Sequence, residues 1–197
     1  MATQFAWGSG RRCASEMETS GTRLRIAAKV DPVDQNYFEQ HIRPLLGHPL
    51  VSYEGEIDDA AKNDFVGNAR ALLFPIVWPE PFGLVIIEAM ACGTPVIAYR
   101  HGSVPELVSH GQTGFIVSSQ MQAIEAAQRI HRIDRRRCRR VFERRFSSDA
   151  MASTYVDVYS RLIESARPVA AESPAPAAPP PTPQRLLPAP PEQEEPA

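Results

Sequence analysis

Short apolar runs that alternate with helical patterns constrain the fold of this 197-residue chain more than any other feature of its sequence. Each run suits a buried strand in length and content. Strands that alternate with helices predict a parallel sheet with right-handed connections and helices on both faces. The sequence therefore predicts a doubly wound, Rossmann-like α/β fold. The predicted strands are RLRIAAKV (23–30), LVSYEGE (50–56), RALLFPI (70–76), TPVIAY (94–99) and GFIV (114–117).

The segments between these runs carry helix start and stop signals. Asp31 precedes Pro32 at a first helical position, and DDAAKNDFVGNA begins with two acids that suit a helix amino terminus. FGLVIIEAMACG ends at Gly93, a natural left-handed closing residue, and SVPELVSHG indicates a shorter helix. Two or three further helices follow the last strand, in SQMQAIEAAQRIHRI, DRRRCRRVFERRF and SSDAMASTYVDVYSRLIESA.

The ends of the chain differ from its middle. Residues 1–22 lack periodicity and predict a loose amino-terminal arm. Residues 167–197 hold eleven of the nineteen prolines, which remove backbone donors and favour a disordered tail. The length allows one ordinary domain, which we place at residues 23–166.

Composition argues against several classes of protein. Lys and Arg number 21 against 23 Asp and Glu, so no global charge favours nucleic acid or an anionic membrane. The apolar runs are far shorter than the roughly 20 residues that span a bilayer, and the start lacks a signal-peptide core. We therefore expect a cytoplasmic protein without stable membrane insertion. Cys13, Cys92 and Cys138 are widely spaced, so we expect reduced thiols and no metal site.

The run HRIDRRRCRRVFERRF contains eight arginines and has two interpretations. One is phosphate or nucleic-acid binding. The other is a solvated helix face, because Val141, Phe142 and Phe146 interleave with the arginines while Asp134 and Glu143 offset some charge. We favour the helix face and expect no nucleic-acid partner. A dinucleotide-dependent oxidoreductase is also disfavoured, since AAKVDPVD stands where GxGxxG would follow the first strand.

Candidate ligand-binding residues gather where the third predicted strand leads into a helix. Ligands of open parallel sheets bind beyond the carboxyl ends of the strands, where helix amino termini present free amide groups. The helix should begin near Phe82, and Gly83 lets a ligand approach the backbone. Glu80, held between Pro79 and Pro81, offers a rigid acceptor for sugar hydroxyls.

Glu88 lies in a helix that is otherwise apolar from Leu84 to Ala91. A charge is rarely buried without partners. Either the carboxylate faces solvent on a largely buried helix, or it grips two neighbouring hydroxyls, as on a ribose; the residues alone leave both open. Lys29 and His101, each at the end of a predicted strand, are further candidates for phosphate or donor contacts.

The sequence E-PFGLVII-E followed by AMACGTPVIA resembles the E-x7-E motif of glycosyltransferase family 4, whose members are retaining enzymes of the GT-B fold. The resemblance continues through HGSVPELV and GQTGFIV and spans about residues 23–163. It implies the carboxyl-terminal, donor-binding domain of an enzyme that takes a nucleotide-diphosphate sugar as substrate and needs no metal cofactor.

The resemblance also implies roles for individual residues. Glu80 would bind hydroxyls of the donor sugar, and Glu88 would bind the ribose. The backbone of Phe82, Gly83 and Leu84 would contact the sugar and the diphosphate. No catalytic residue is implied, and the acceptor is unknown.

The amino-terminal side departs from the family pattern. The family's donor domain opens with a strand and a glycine-rich loop carrying an Arg and a Lys against the leaving diphosphate, and residues 1–22 show no match to it. In the family a separate amino-terminal domain binds the acceptor. We therefore expect a truncated enzyme that transfers sugar poorly on its own. The alternative is a non-catalytic module that binds a nucleotide sugar or a partner.

The last predicted helix carries an apolar stripe that should pack on another surface. In related enzymes this helix lies near or across the boundary between the two domains. Part of the stripe should therefore be exposed, and we expect self-association or a missing amino-terminal domain to cover it. The stripe consists of Met151, Tyr155, Val158, Tyr159 and Leu162.

Overall fold

The computed structural model describes residues 2–4 and 21–166 of the chain. The strands in these residues are β1 (Ala2–Gln4), β2 (Leu24–Ala27), β3 (Val51–Gly55), β4 (Leu72–Phe74), β5 (Val96–Tyr99) and β6 (Gly114–Val117). They form one parallel sheet in the order β3-β2-β1-β4-β5-β6. The predicted doubly wound α/β fold is confirmed, and each of the five predicted strands is present.

The helices are α1 (Gln35–Tyr37), α2 (Asp59–Gly67), α3 (Leu84–Ala91), α4 (Val104–Leu107), α5 (Gln120–Arg129), α6 (Arg135–Arg145) and α7 (Ser148–Ala166). Asp58, the first of the two predicted acids, caps α2 by accepting a hydrogen bond from the Ala61 amide at 2.7 Å. Gly93 follows α3 with a φ of 69°, as its predicted role as closing residue requires.

The helix predicted from Asp31 onward is broken into short segments. The chain passes from a 3-10 turn (Pro32–Asp34) through α1 and a π-helical turn (Phe38–Ile42) to a second 3-10 turn (Arg43–Gly47). Pro44 has no amide hydrogen, so a regular α-helical hydrogen bond cannot form at its nitrogen. Pro32 does begin the helical segment, but the Asp31 side chain makes no capping hydrogen bond.

The prediction of a loose arm over residues 1–22 is wrong for Ala2–Gln4. This strand lies between β2 and β4 and pairs with both in parallel. Three residues are too few to show an apolar alternation, and the pairing uses backbone groups that every residue carries. Residues 5–20 and 167–197, with Cys13 and the proline-rich tail, lie outside the described residues.

Alternate residues of each strand pack on opposite faces of the sheet, as the pleat requires. In β4, Leu72 and Phe74 belong to one buried cluster and Leu73 to the other. The first cluster includes residues of α2, α3 and α4, and the second includes residues of α5. Helix α6 contributes to both, through Val141 and Cys138 respectively. The sheet is thus covered on both faces, which leaves its strand ends for ligands.

Arg135, at the start of the arginine-rich helix α6, binds backbone carbonyls of another element. Its guanidinium donates to the carbonyl of Gly67 at 2.5 Å and to that of Ala69 at 2.6 Å, where α2 ends. The last carbonyls of a helix have no intrahelical donors and carry partial negative charge, so a cation is favoured there. Arg135 therefore fastens α6 to the end of α2.

Two more arginines of α6 act in the same way. Arg139 donates to the carbonyl of Ala91, the last residue of α3, at 2.7 Å. Arg145 donates to the carbonyl of Glu106 in α4, also at 2.7 Å. The favoured interpretation of this run as a solvated helix face is thus incomplete, because several of its arginines bind helix-end carbonyls.

Cys92 and Cys138 are free thiols, as expected. Cys138 is fully buried on α6, and burial raises the pKa of its thiol to about 11. Burial also raises the pKa of Cys92. Both thiols are therefore protonated at neutral pH, which disfavours them as nucleophiles.

The chain divides into two units, Met1–Val156 and Asp157–Ala197. The five side chains of the predicted apolar stripe on α7 are between 37% and 58% exposed. Self-association through this surface stays a prediction. None of the helices within residues 21–166 is long and apolar enough to cross a membrane.

Replacing Arg135 with alanine should lower the free energy of unfolding by about 2 kcal/mol, because helix-end carbonyls lose charged donors. Urea titrations followed by circular dichroism would measure the change. Arg136→Ala is the matched control: this exposed neighbour removes the same charge, and its side chain has no partner among the described residues. The control should stay within about 0.5 kcal/mol of the unmodified chain. Equal losses in both variants would contradict the role of Arg135 in fastening α6 to the end of α2.

Candidate functional site

A cleft of about 230 Å³ opens at the carboxyl ends of β2 and β3. Lys29 follows β2, Glu56 follows β3, and Lys62 of α2 completes the charged lining. Phe65 and Val85 add apolar surface. Apolar walls with a few charged groups are typical of small-molecule sites, and this position is the one that open parallel sheets use.

Glu88 is held in an ion pair beside this cleft. Its Oε1 accepts a hydrogen bond from Lys62 Nζ at 2.9 Å, and the same ammonium lies 3.0 Å from Asp59 Oδ1. These bonds, first the one to Glu88 and then the one to Asp59, raise the pKa of Lys62. The Glu88 side chain is 37% exposed. Among the described residues no donor reaches its Oε2, so that oxygen is available to a ligand.

Glu80 lies in the loop that leads into α3. Its Oε2 accepts a hydrogen bond from Trp78 Nε1 at 3.2 Å, and its amide donates to the Trp78 carbonyl at 2.9 Å. Gly83 stands next to it: a Cβ on Gly83 would lie 3.7 Å from Glu80 Cγ. With a φ of 82°, Gly83 turns the chain so that α3 begins at Leu84. The carboxylate is thereby fixed beside the helix amino terminus.

The segment after β5 holds this loop in place. The Ser103 amide donates to the Glu80 carbonyl at 3.0 Å, and Ser103 Oγ donates to the Phe82 carbonyl at 2.6 Å. A Cβ on Gly102 would lie only 2.2 Å from the Glu80 carbonyl oxygen, so no other residue fits. Gly102 and Ser103 therefore set the position of Glu80.

The amino terminus of α3 is accessible to a ligand. The first amides of a helix have no intrahelical acceptors, and together with the helix dipole they favour an anion. Phe82 and Leu84, on either side of Gly83, are 44% and 64% exposed. An anionic group can thus approach the backbone here while the Glu80 carboxylate accepts from hydroxyls.

The structure brings most of the sequence-predicted residues to one region. Glu80 lies just before the amino terminus of α3, and Glu88 lies farther along the same helix. Lys29 lines the same cleft as Lys62, which binds Glu88. His101 is exposed and directly precedes Gly102, but among the described residues its side chain contacts neither carboxylate. Within the described residues there is no cluster of three His, Cys, Asp or Glu suited to a metal.

Sequence reasoning missed Asp59, Lys62, Gly102 and Ser103. Lys62 lies 26 residues before Glu88, so no local pattern connects the two. A glycine and a serine shortly after a buried strand were the available signal for the other pair, since such residues mark tight backbone approaches near strand ends.

Comparison with known proteins gives a consistent result. The chain matches the family described as Glycosyl transferases group 1 over residues 15–143. N-acetyl-alpha-D-glucosaminyl L-malate synthase of Bacillus anthracis is 36% identical over 128 residues, or 61% of this chain and 33% of that protein. D-inositol 3-phosphate glycosyltransferase of Streptomyces bingchenggensis is 36% identical over 112 residues, or 53% of this chain and 24% of that protein.

Solved structures agree with the fold. Anabaena Alr3699/HepE, crystallised in complex with UDP and glucose, superposes with a TM-score of 0.68 at 22% identity, over 81% of this chain and 48% of that one. Sucrose-phosphate synthase from Thermosynechococcus elongatus gives a TM-score of 0.68 at 24% identity, over 83% of this chain and 45% of that one.

The chain thus spans about a third of the length of the Bacillus relative and about half of the Anabaena structure. Its family match nevertheless covers well over half of its own residues, and it includes the loop of Glu80 and the whole of helix α3. The protein belongs to the group 1 glycosyl transferases.

Proposed function

We propose that this chain carries the nucleotide-sugar donor site of a retaining glycosyltransferase of family 4, with residues 23–166 as the donor-binding domain. The observation that carries the proposal is the arrangement around α3. A carboxylate stands at the helix amino terminus, and a second one farther along the helix keeps one oxygen free beside a cleft. The two carboxylates can accept hydrogen bonds from two sets of hydroxyls, and the helix amino terminus beside the first can bind an anion.

Each part of a donor then has a place. Glu80 accepts hydrogen bonds from hydroxyls of the sugar, and the amides at Phe82, Gly83 and Leu84 face the sugar and the diphosphate. Glu88 Oε2 accepts from the ribose while Lys62 fixes Oε1 at 2.9 Å. Lys29 and His101 supply further phosphate or donor contacts. The UDP and glucose bound by the similar Anabaena protein are ligands of this class.

We further propose that sugar transfer needs a second domain. Retention requires stabilisation of the departing diphosphate and an acceptor on the same face of the sugar. The two curated relatives are about three and four times the length of their matched segments, which leaves room in them for such a domain. On this proposal the isolated chain binds a donor and turns it over poorly.

The second candidate function is a non-catalytic module that binds nucleotide sugars. The ion pair of Lys62 with Glu88 favours this candidate, because it fixes a binding carboxylate without supplying a catalytic group. Incubation of the chain with radiolabelled nucleotide sugars distinguishes the two candidate functions. Slow release of free sugar supports the transferase, whereas binding with no release at all supports the module.

Glu88→Gln should weaken donor binding about tenfold or more, because ribose hydroxyls lose a charged acceptor. Calorimetric titration of the full chain with UDP-glucose, GDP-mannose and ADP-glucose would find the preferred donor and then measure the variant. Glu106→Gln, at an exposed carboxylate on α4, makes the same change away from the cleft and should leave affinity unchanged. Failure of the unmodified chain to bind any donor would refute the proposal.

Gly102→Ala should also weaken donor binding about tenfold, because the new methyl group displaces the backbone of Glu80. Gly111→Ala is its control. Both glycines have positive φ, 50° and 75°, but a Cβ on Gly111 meets nothing within 4 Å. The control carries backbone strain alone and should bind the donor normally. Equal affinity of the two variants would show that the Glu80 loop does not contribute to binding.

A further inference from the structure

A second cleft, of about 320 Å³, opens at the edge of the sheet between β6 and α5. It has no lining residue in common with the cleft of Lys29 and Lys62. Arg100 enters it from the end of β5, Arg129 from the end of α5, and His110 from the loop before β6. Glu125 supplies a carboxylate. Its volume is at the lower end of the range for small-ligand sites.

The two arginines have no hydrogen-bond or ion-pair partner among the described residues. Arg129 instead lies over the ring of Phe115, with 5.7 Å between Cζ and the ring centroid. This contrasts with Arg135, Arg139 and Arg145, whose guanidinium groups bind carbonyls. The guanidinium groups of Arg100 and Arg129 therefore keep their donors for a ligand.

Two polar side chains of the cleft accept hydrogen bonds from amides in the edge strand β6 and just after it. The Ile116 amide donates to His110 Nδ1 at 3.1 Å, so the neutral imidazole carries its proton on Nε2. The Ser118 amide donates to Gln122 Oε1 at 2.8 Å, which leaves the amide NH₂ group of Gln122 as a donor. The amides of Ile116 and Ser118 are thereby satisfied, and the side chains that satisfy them retain donors in the cleft.

We propose that this cleft binds a phosphate monoester of a small polyhydroxylated molecule, such as a hexose phosphate. Two guanidinium groups match a phosphate in charge and in bidentate geometry. The Nε2 of His110 and the amide of Gln122 add neutral donors. Glu125 would repel a bare anion but accepts hydrogen bonds from hydroxyls, which favours a phosphorylated polyol over inorganic phosphate.

The test is a titration of the isotope-labelled full chain with glucose 6-phosphate, followed by amide chemical shifts in low salt. The amides of Ile116 and Ser118 should shift and saturate. Arg100→Gln and Arg129→Gln should each raise the dissociation constant about tenfold or more. Arg132→Gln, at an exposed arginine outside the cleft, should leave it unchanged. Thermal unfolding of each variant shows whether it is folded. One folded variant, Arg100→Gln or Arg129→Gln, is enough to test the role of the arginines.

Titrations with other ligands and with a variant of the first cleft identify the ligand chemistry and the site. Inorganic phosphate and glucose should each bind at least several-fold more weakly than glucose 6-phosphate. Glu88→Gln should leave glucose 6-phosphate binding unchanged, since Glu88 lies beside the other cleft and does not line this one. The proposal is overturned if the Ile116 and Ser118 amides do not shift, if Arg132→Gln weakens binding as much as Arg100→Gln, if phosphate binds equally well, or if Glu88→Gln abolishes binding.

Discussion

The guanidinium of Arg135 ties together the amino-terminal side of the sheet. It donates to the carbonyls of Gly67 and Ala69 and, at 3.0 Å, to the hydroxyl of Thr94 just before β5. Thr94 is fully buried and in turn donates to the carbonyl of Val66 at 2.9 Å. Without these donors the carbonyls at the end of α2 would lose charged partners at a partly buried surface. A planar group with five N–H donors can reach all three acceptors, which a lysine could not do as well.

This arrangement separates stability from ligand binding within the described part of the chain. The arginine network lies where β4 and β5 begin, whereas the loop of Glu80 lies where β4 ends. That loop is fixed by its own local contacts with Gly102 and Ser103, which follow β5. The strands between are buried on both faces and act as rigid spacers. Changes in ligand geometry can therefore occur at one end of the sheet without loosening the other.

Most of the sheet was predictable because its strands carry a local apolar pattern that only a buried strand explains. Strand β1 was not, since Ala2–Gln4 is held by backbone pairing on both sides and needs no apolar side chains. Glu80 and Glu88 could be recognised from the sequence, because one is a charge between two prolines and the other is a charge in an otherwise apolar helix. Their partners could not, because the contacts of Lys62 with Glu88 and of Ser103 with Glu80 join residues 26 and 23 positions apart.

The arginine run shows a second limit on prediction. Its composition suggested either a ligand surface or a solvated face, and the two alternatives share the assumption that arginines face outward. Arg135, Arg139 and Arg145 instead bind carbonyls at the ends of α2, α3 and α4. Backbone carbonyls occur at every residue, so no side-chain pattern marks the ones that need a donor. Only the packing of the helices identifies them.

The charge balance of the cleft of Lys29 and Lys62 bears on the proposed function. Lys29 and Lys62 share it with Glu56 and Asp59, and Glu88 already engages Lys62. Together these described side chains carry three negative charges against two positive ones, so a diphosphate would gain little from them beyond the partial charge of about half a unit at the start of α3. Hydroxyls of a ribose and a sugar, in contrast, find carboxylate acceptors. On the proposed function, such a cleft would hold the uncharged parts of a nucleotide sugar and leave the charge of the departing diphosphate to other groups, so that binding and turnover are separable.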